Sequence, residues 1–387
     1  NLIIFPILII FFLKKFKSIK FKNELLFISA FAYFLFQIPG LLFTENSFSN
    51  IIYIISALNI IFILIIANIY FDKKKYLIFI YITLMMLFLI TILNYKTFVN
   101  FFYSESSSSL YTFFNSSETF FGKQSPRSTG SSRTLLLMML ITFLVFYKFF
   151  EKNNFLKNTT YILISTFILL FQSRTTIVLL ITFILINYIY EKNFSIKETL
   201  KYLITYILMP IIFLYSILIF KHVIHGKDFI KNLNNQSLNK SLFEITDNFQ
   251  RPIDPNTYSS GRLNDWKKIL SKIDKSIIYG YGAQGDRFLI NQTASNGMIY
   301  SISSSGILGT IPFIFFLILS ISIILNKFFE IIKSKTAITH FSSIVVIVIL
   351  LRSILESSYA VFSIDLIVIY TFLNYLDKFS LKNDDGN

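Results

Sequence analysis

Residues 156–190 read LKNTTYILISTFILLFQSRTTIVLLITFILINYIY. Two apolar runs, 156–171 and 175–190, flank a connection of only three residues, Gln172, Ser173 and Arg174. Runs of this kind predict helices set in a hydrocarbon layer, and so short a connection makes them antiparallel neighbours. Arg174 then sits at a membrane interface or slightly within it. A guanidinium at a helix centre costs about 2.5–3.5 kcal/mol on insertion scales, and less near the edge. Arg174 is therefore a functional candidate by default, with snorkelling to lipid phosphate as the bland alternative.

The same pattern continues in both directions. Apolar runs end at Leu13 and cover 25–43, 51–71, 76–94, 134–150, 202–220, 302–325, 336–351 and 360–376. With the quoted pair they predict an all-α integral membrane protein of about eleven transmembrane helices. Composition agrees: 54% of residues are hydrophobic, 15% are charged, and the mean hydropathy is +0.63. The chain starts at Asn1 and its first run is short, so part of the natural N-terminus is expected to be missing. That run lacks the basic start and small-residue cleavage site of a signal peptide. With no cysteine, disulfides, thiolate metal sites and cysteine nucleophiles are excluded.

Charge sets the orientation. Short lysine-rich loops (Lys14 to Lys22, Lys73 to Lys75, Lys148 to Lys157, Lys192 to Lys201, Lys327 to Lys335) contain no arginine and read as cytoplasmic. They account for most of the net charge of +15, so no nucleic-acid partner is expected. Every arginine (Arg127, Arg133, Arg174, Arg251, Arg262, Arg287 and Arg352) falls in or beside a segment placed outside. Lysine suffices as a point charge, whereas arginine offers a planar fork suited to phosphate oxygens. The segregation points to an external site for a phosphate-bearing, lipid-linked substrate. The organisation is then helices one to eight in 1–220 with an outer loop at 95–133, a large outer loop at 221–301, and helices nine to eleven with an inner tail in 302–387.

Several short motifs sit in the outer segments. SPRSTGSSR, 125–133, places Arg127 and Arg133 around Gly130 directly before a span; the reading is a diphosphate headgroup site or plain anchoring to lipid heads. SSGR, 259–262, leads into a helical pattern of Leu263, Trp266, Ile269, Leu270, Ile273 and Ile277, with Lys267, Lys268, Lys272 and Lys275 opposite. That helix either lies on the membrane surface or packs on the rest of the loop, and Gly280 ends it. GYGAQG, 280–285, matches the dinucleotide spacing but lacks a preceding strand; Gly280, Gly282 and Gly285 read as a turn whose backbone can approach a ligand, or as a plain loop. Arg352 and Glu356, four apart, share a helix face. They form a structural ion pair, or present a carboxylate to a sugar hydroxyl. His222, His225 and His340 have no carboxylate cluster beside them, so no metal site is expected.

In order, these motifs resemble the O-antigen polymerase and O-antigen ligase superfamily of bacterial envelope proteins, from about Tyr95 to Leu376. The likeness rests on PRSTGSSR before a span, QSRTT at a tight outer turn, and one late loop running SSGRLNDW, IYGYGAQG and ASNGMIYSISSSGILG. RSILESSYAVFSID is similar to the polymerase branch in particular. Ser295-Asn296 stands where ligases usually carry His-Asn, which also favours a polymerase.

The resemblance implies a multi-pass enzyme of the bacterial inner membrane, of GT-C type, independent of metal, nucleotide and any cofactor. It would transfer undecaprenyl-diphosphate-linked glycan onto a lipid-linked repeat unit at the periplasmic face. Its partners would be that lipid-linked oligosaccharide, membrane lipid, a flippase and a chain-length regulator. A glycosyl diphosphate carries its own good leaving group, so the site must mainly stabilise growing diphosphate charge. Arg127, Arg133, Arg174 and Arg262 are the candidates for this, with Arg287 and Arg352 behind them. Glu356 or Asp265 would take the acceptor proton. The alternatives are a ligase acting on lipid A–core, a flippase or transporter for the same lipid-linked sugar, and a scaffold subunit.

The topology is directly testable. Alkaline phosphatase fused after Ser107 or Asn235 should be active, and after Asp384 inactive; activity at Asp384 would overturn the orientation.

Overall fold

The computed structural model describes residues 24–43, 47–69, 73–93, 129–171, 173–191, 196–224, 262–333 and 337–379. Every regular element among them is helical. In chain order they are α1 (Glu24–Leu35), α2 (Ser47–Ile69), α3 (Lys73–Leu93), α4 (Thr129–Val145), α5 (Tyr147–Lys152), α6 (Asn154–Leu170), α7 (Arg174–Glu191), α8 (Ile196–Leu203), α9 (Met209–Ile224), α10 (Arg262–Lys272), α11 (Gly285–Ile290), α12 (Gly297–Lys333), α13 (Ala337–Leu355) and α14 (Ile364–Phe379). A π-helical turn, Ile204–Leu208, joins α8 to α9. The chain forms two compact units, one from 1–81 with 261–387 and one from 82–260. The expected first span, most of the outer loop 95–133, residues 225–261 of the large outer loop, and most of the C-terminal tail lie outside the described residues.

Among the described residues two helical stretches are long and apolar enough to cross a membrane, Lys197–Ile217 and Gly297–Asn326. Shorter apolar helices cover Glu24–Leu35, Ile51–Ala67, Ile78–Leu93, Gly130–Val145, Thr175–Ile189 and Thr339–Leu355. The distribution of polarity fits an apolar solvent. On α3, Ile82, Met85, Met86, Phe88, Leu89 and Ile92 are exposed, and so are Ile204, Ile207, Leu208, Ile211 and Ile212 further on. Buried positions hold small hydroxyls instead: Ser301, Ser303, Ser304, Ser305 and Ser320 in α12, and Ser342, Ser343 and Ser353 in α13. Lipid gives no reward for burying a leucine, so helices there associate through small residues and side-chain hydrogen bonds.

In the first unit α12 is the hub. α1, α13 and α14 pack on it, and α2 packs on α14. Tyr33 on α1 donates to the Ala360 carbonyl at 2.9 Å and lies 3.3 Å from the Ser304 hydroxyl. Its ring meets Phe313 of α12 and stacks on Phe362. Tyr76 stacks on Tyr375 at 4.2 Å and shares a 2.9 Å hydrogen bond with Ser342. In the second unit α6 is central, packed against α4, α7 and α9.

Helix boundaries depart from the apolar runs at four places. The run 25–43 predicts one span, but α1 stops at Leu35. Pro39 lacks an amide and disfavours helical backbone at Ile38, and Gly40 lies so close to the Gly282 backbone that a Cβ there would collide. The run from 134 predicts a span to 150, whereas α4 starts at Thr129 and ends at Val145, so Arg133 is helical and not in a loop. The last span starts at Ile364 and not at residue 360, because 358–360 form a 3-10 turn.

The fourth departure is in α12, which starts at Gly297, ahead of the expected 302, and breaks at Gly306 (φ 60°, ψ −161°). At the break the Ser303 carbonyl loses its usual partner, the amide four residues on. It accepts instead from the Tyr281 N–H at 2.8 Å. The freed Ile307 and Leu308 amides donate to the Ile277 and Ile278 carbonyls at 2.9 and 3.3 Å. Gly280 (φ 69°) packs on the backbone of 304–306, Gly285 on Ser303, and Gly306 on the Ile278 carbonyl. Side chains would prevent each approach.

Gly306→Ala should therefore lower thermal stability by at least about 1 kcal/mol, since alanine is strained at positive φ and its Cβ would meet Ile278. Gly130→Ala, at a helical position with open space, should be neutral or stabilise by up to about 1 kcal/mol. Melting of both variants in detergent checks the contrast; equal melting temperatures would contradict this packing.

Candidate functional site

The large loop re-enters the described residues at α10. Its apolar face divides: Ile269 and Ile273 are buried, while Leu263, Leu270 and Ile277 stay exposed. Trp266 donates its indole N–H to the Ala294 carbonyl at 2.6 Å. The other side of the same residue is held by Asp286, whose Oδ2 accepts the Ala294 amide at 2.6 Å while Oδ1 accepts the Arg287 amide at 2.9 Å. Lys272 closes the arrangement by donating to the Leu289 carbonyl at 2.9 Å. Asp286 is only 1% exposed. Burial raises its pKa above the usual carboxylate range; the Ala294 and Arg287 amides and the Arg287 charge pull it back only in part.

Two residues after Ala294 the chain enters α12. Asn296 caps that helix: its Oδ1 accepts the Met298 and Ile299 amides at 2.8 and 3.0 Å. Its Nδ2 donates to the Ile354 carbonyl at 2.8 Å, tying the start of α12 to the end of α13. Ser295 before it adopts φ 50°, a left-handed backbone. One turn back on α13, Arg352 is buried, with Nε 2.8 Å from Glu356 Oε2 and Nη1 3.0 Å from Asp365 Oδ2. Ser358 donates to Asp365 at 3.3 Å. The guanidinium fork thus clamps the turn between α13 and α14.

In the second unit, Phe143 of α4 lies 6.2 Å from Phe183 of α7, and both lie against Tyr161 of α6. Arg133 precedes Phe143 by ten residues and Arg174 precedes Phe183 by nine, which is about 15 and 14 Å along a helix axis. α6 joins α7 by a tight turn and runs opposite to it, as it does to α4. The two arginine positions therefore share one end of this unit. At that turn Thr176 donates to the Ser173 hydroxyl at 2.8 Å, and the Ser173 carbonyl accepts the first bond of α7 from Ile177 at 2.9 Å.

The expected site residues divide between the two units. Arg262, Asp265, Arg287, Arg352, Glu356, Ser295, Asn296 and the three loop glycines all belong to the first unit; Arg133 and Arg174 belong to the second. Arg127 lies outside the described residues, and Arg174 is described only as the first residue of α7. Arg262 and Asp265 are half-buried in the first turn of α10, and Arg287 is exposed. Gly280, Gly282 and Gly285 are buried, and the close backbone approach they permit is to Gly40 and to 303–306 of this chain. Two residues were missed. Asp365 interrupts the apolar run of the last span, a costly placement that signals a buried partner. Asp286 carried no such signal, since it follows GAQG in an ordinary polar context.

Among the described residues no three His, Asp or Glu side chains gather as a metal site. No family model, curated protein or solved structure matches the chain.

Asp286 generates a pH test. Its folded pKa is raised, so the neutral form is favoured in the fold. Its contribution is fully present below the unfolded carboxylate value and is lost as pH rises through the raised folded value. The stability of the wild type relative to Asp286→Asn should accordingly be greater near about pH 4 than near about pH 7. Melting curves at the two pH values check this; a difference that grows with pH would refute the burial effect.

Proposed function

We propose that this chain is a polysaccharide polymerase of the bacterial inner membrane. It transfers undecaprenyl-diphosphate-linked glycan onto a lipid-linked repeat unit at the periplasmic face. The reading takes the chain as a multi-pass protein of about eleven spans with its arginine-bearing segments outside. The observation that carries it is the meeting of separate sequence motifs in one unit. Trp266 of SSGRLNDW holds Ala294 of ASNGMIY. The GYG turn pairs with the SSSG break. Asn296 binds the carbonyl of Ile354 within RSILE, and Arg352 of that segment binds Asp365 of VFSID. The separate segments on which the resemblance rests meet through side chains and backbone, as parts of one working site would.

In the proposed reaction an acceptor sugar hydroxyl attacks the anomeric carbon of the donor glycan. The bond from that carbon to the diphosphate oxygen breaks, and undecaprenyl diphosphate leaves with the electron pair. Forked arginine donors stabilise the departing charge; the candidates are Arg262 and the exposed Arg287 in the first unit, and Arg127, Arg133 and Arg174 from the sequence motifs of 125–133 and 172–176. Glu356 or Asp265 accepts the hydroxyl proton. Arg352 is not available to the diphosphate, because Glu356 and Asp365 occupy its donors. We assign it to orienting Glu356, whose Oε2 it holds at 2.8 Å.

A flippase is favoured by one observation, the broken helix at Gly306, since transporters bind substrate at such breaks. Here the freed amides and carbonyl are taken by 277–281 of the chain itself, which weighs against an open transport site.

Purified protein in liposomes, given undecaprenyl-diphosphate repeat units alone, should build longer glycans and release undecaprenyl diphosphate. Arg127→Lys, Arg174→Lys and Arg262→Lys should each lower the rate at least about tenfold, about 1.4 kcal/mol of transition-state stabilisation, at unchanged protein level. Product only after adding lipid A–core would indicate a ligase. Transbilayer movement without glycan extension would indicate a flippase.

A further inference from the structure

The second unit has a polar cleft at the end opposite Arg133 and Arg174. It lies where the first turns of α6, the last turns of α7, and α8 converge, and it has a volume of about 140 Å³. Asn154, Lys157, Asn158, Tyr188, Glu198 and Lys201 line it. The connections at this end carry Lys148, Lys152 and Lys192 and no arginine. We propose that this cleft binds the headgroup of a monoanionic membrane phospholipid, a function separate from glycan transfer and resting only on the chain being a membrane protein.

Charge and size select the ligand class. Lys157 and Lys201 bring two positive charges and Glu198 one negative, so the lining has a net charge of +1 and matches a single phosphodiester. Asn154, Asn158 and Tyr188 add neutral donors for its oxygens. A volume of about 140 Å³ has room for a phosphodiester and its first few atoms.

The floor is built in advance. Tyr188, Tyr202, Tyr206 and Tyr161 form a continuous run of ring contacts, with centroids 5.2, 4.3 and 4.5 Å apart. Tyr202 donates to the Ile184 carbonyl at 2.8 Å. Tyr161 donates to the Tyr206 carbonyl at 3.1 Å, within the π turn. π turns concentrate at functional sites because the extra residue re-aims the side chains around it.

A lipid is favoured over free phosphate by what adjoins the cleft. Leu200, Leu203, Ile204 and Ile207 follow at helical spacing beside Lys201, and all are exposed. An acyl chain can therefore run along the same helix that holds the headgroup. Basic pockets between spans on the lysine-bearing side are where anionic headgroups are met.

The test uses the full chain in nanodiscs of phosphatidylcholine containing a minor fraction of phosphatidylglycerol, with native mass spectrometry to count retained lipid. The wild type should keep one phosphatidylglycerol and release it no faster when inorganic phosphate is added. Retention should fall about tenfold, about 1.4 kcal/mol, in Lys157→Gln with Lys201→Gln and in Asn158→Asp. Lys148→Gln, outside the lining, should behave as wild type. Unchanged retention in the cleft variants, or retention of phosphatidylcholine in place of phosphatidylglycerol, overturns the proposal. Displacement by inorganic phosphate overturns it as well, by marking a free-anion site. If the double lysine variant fails to fold, Asn158→Asp and the phosphate competition on wild type still decide.

Discussion

The backbone pairing across the break at Gly306 is the contact on which the first unit depends. A break in a helix releases amides and carbonyls, and each one left buried and bare costs several kcal/mol. The turn at 277–281 satisfies three of them at once, through Tyr281, Ile277 and Ile278. Hydrogen bonds of this length demand that two backbones touch, and the glycines at 280, 285 and 306 permit it. A side chain at any of the three would push the pairing apart.

From that contact the rest of the unit is positioned in steps. The GYG turn places Asp286, which with Trp266 fixes Ala294 from both sides. Ala294 leads to Asn296, whose amide caps α12 and reaches the end of α13. The end of α13 carries Arg352, and Arg352 holds the turn into α14. One guanidinium faces two carboxylates in this buried cluster. Removing it would leave two uncompensated charges, a change on the order of 3–5 kcal/mol when a buried pair is broken.

The sequence was informative wherever a local rule sufficed. Long apolar runs marked helices among the described residues, since runs of that length exceed what a strand needs. The spacing of Arg352 and Glu356 predicted their contact, since four residues bring side chains to one helix face. The glycines of 280–285 marked a place of close backbone approach, but what they approach could not be read. Whether a glycine turn meets a ligand or another part of the chain depends on tertiary placement. The end of α1 at Leu35 was hidden for the same reason. Its apolar run continues to Phe43, and only Pro39 and the proximity of Gly40 to Gly282 stop it. Asp365 and Asp286 were missed because a lone carboxylate does not announce its partner.

The pairing at Gly306 also bears on how the protein is made. Residues 277–281 and 303–308 are near neighbours in sequence, so closing the loop between them carries a small entropic penalty. A nascent chain can satisfy the break as soon as this segment has emerged, before α13 and α14 exist. Those two helices then dock onto a surface that is already complete, and the Arg352 clamp is the last part of the unit to form. A truncated chain ending after α12 would carry its break already sealed, whereas one that begins after residue 281 would leave the broken backbone of the same helix unpaired.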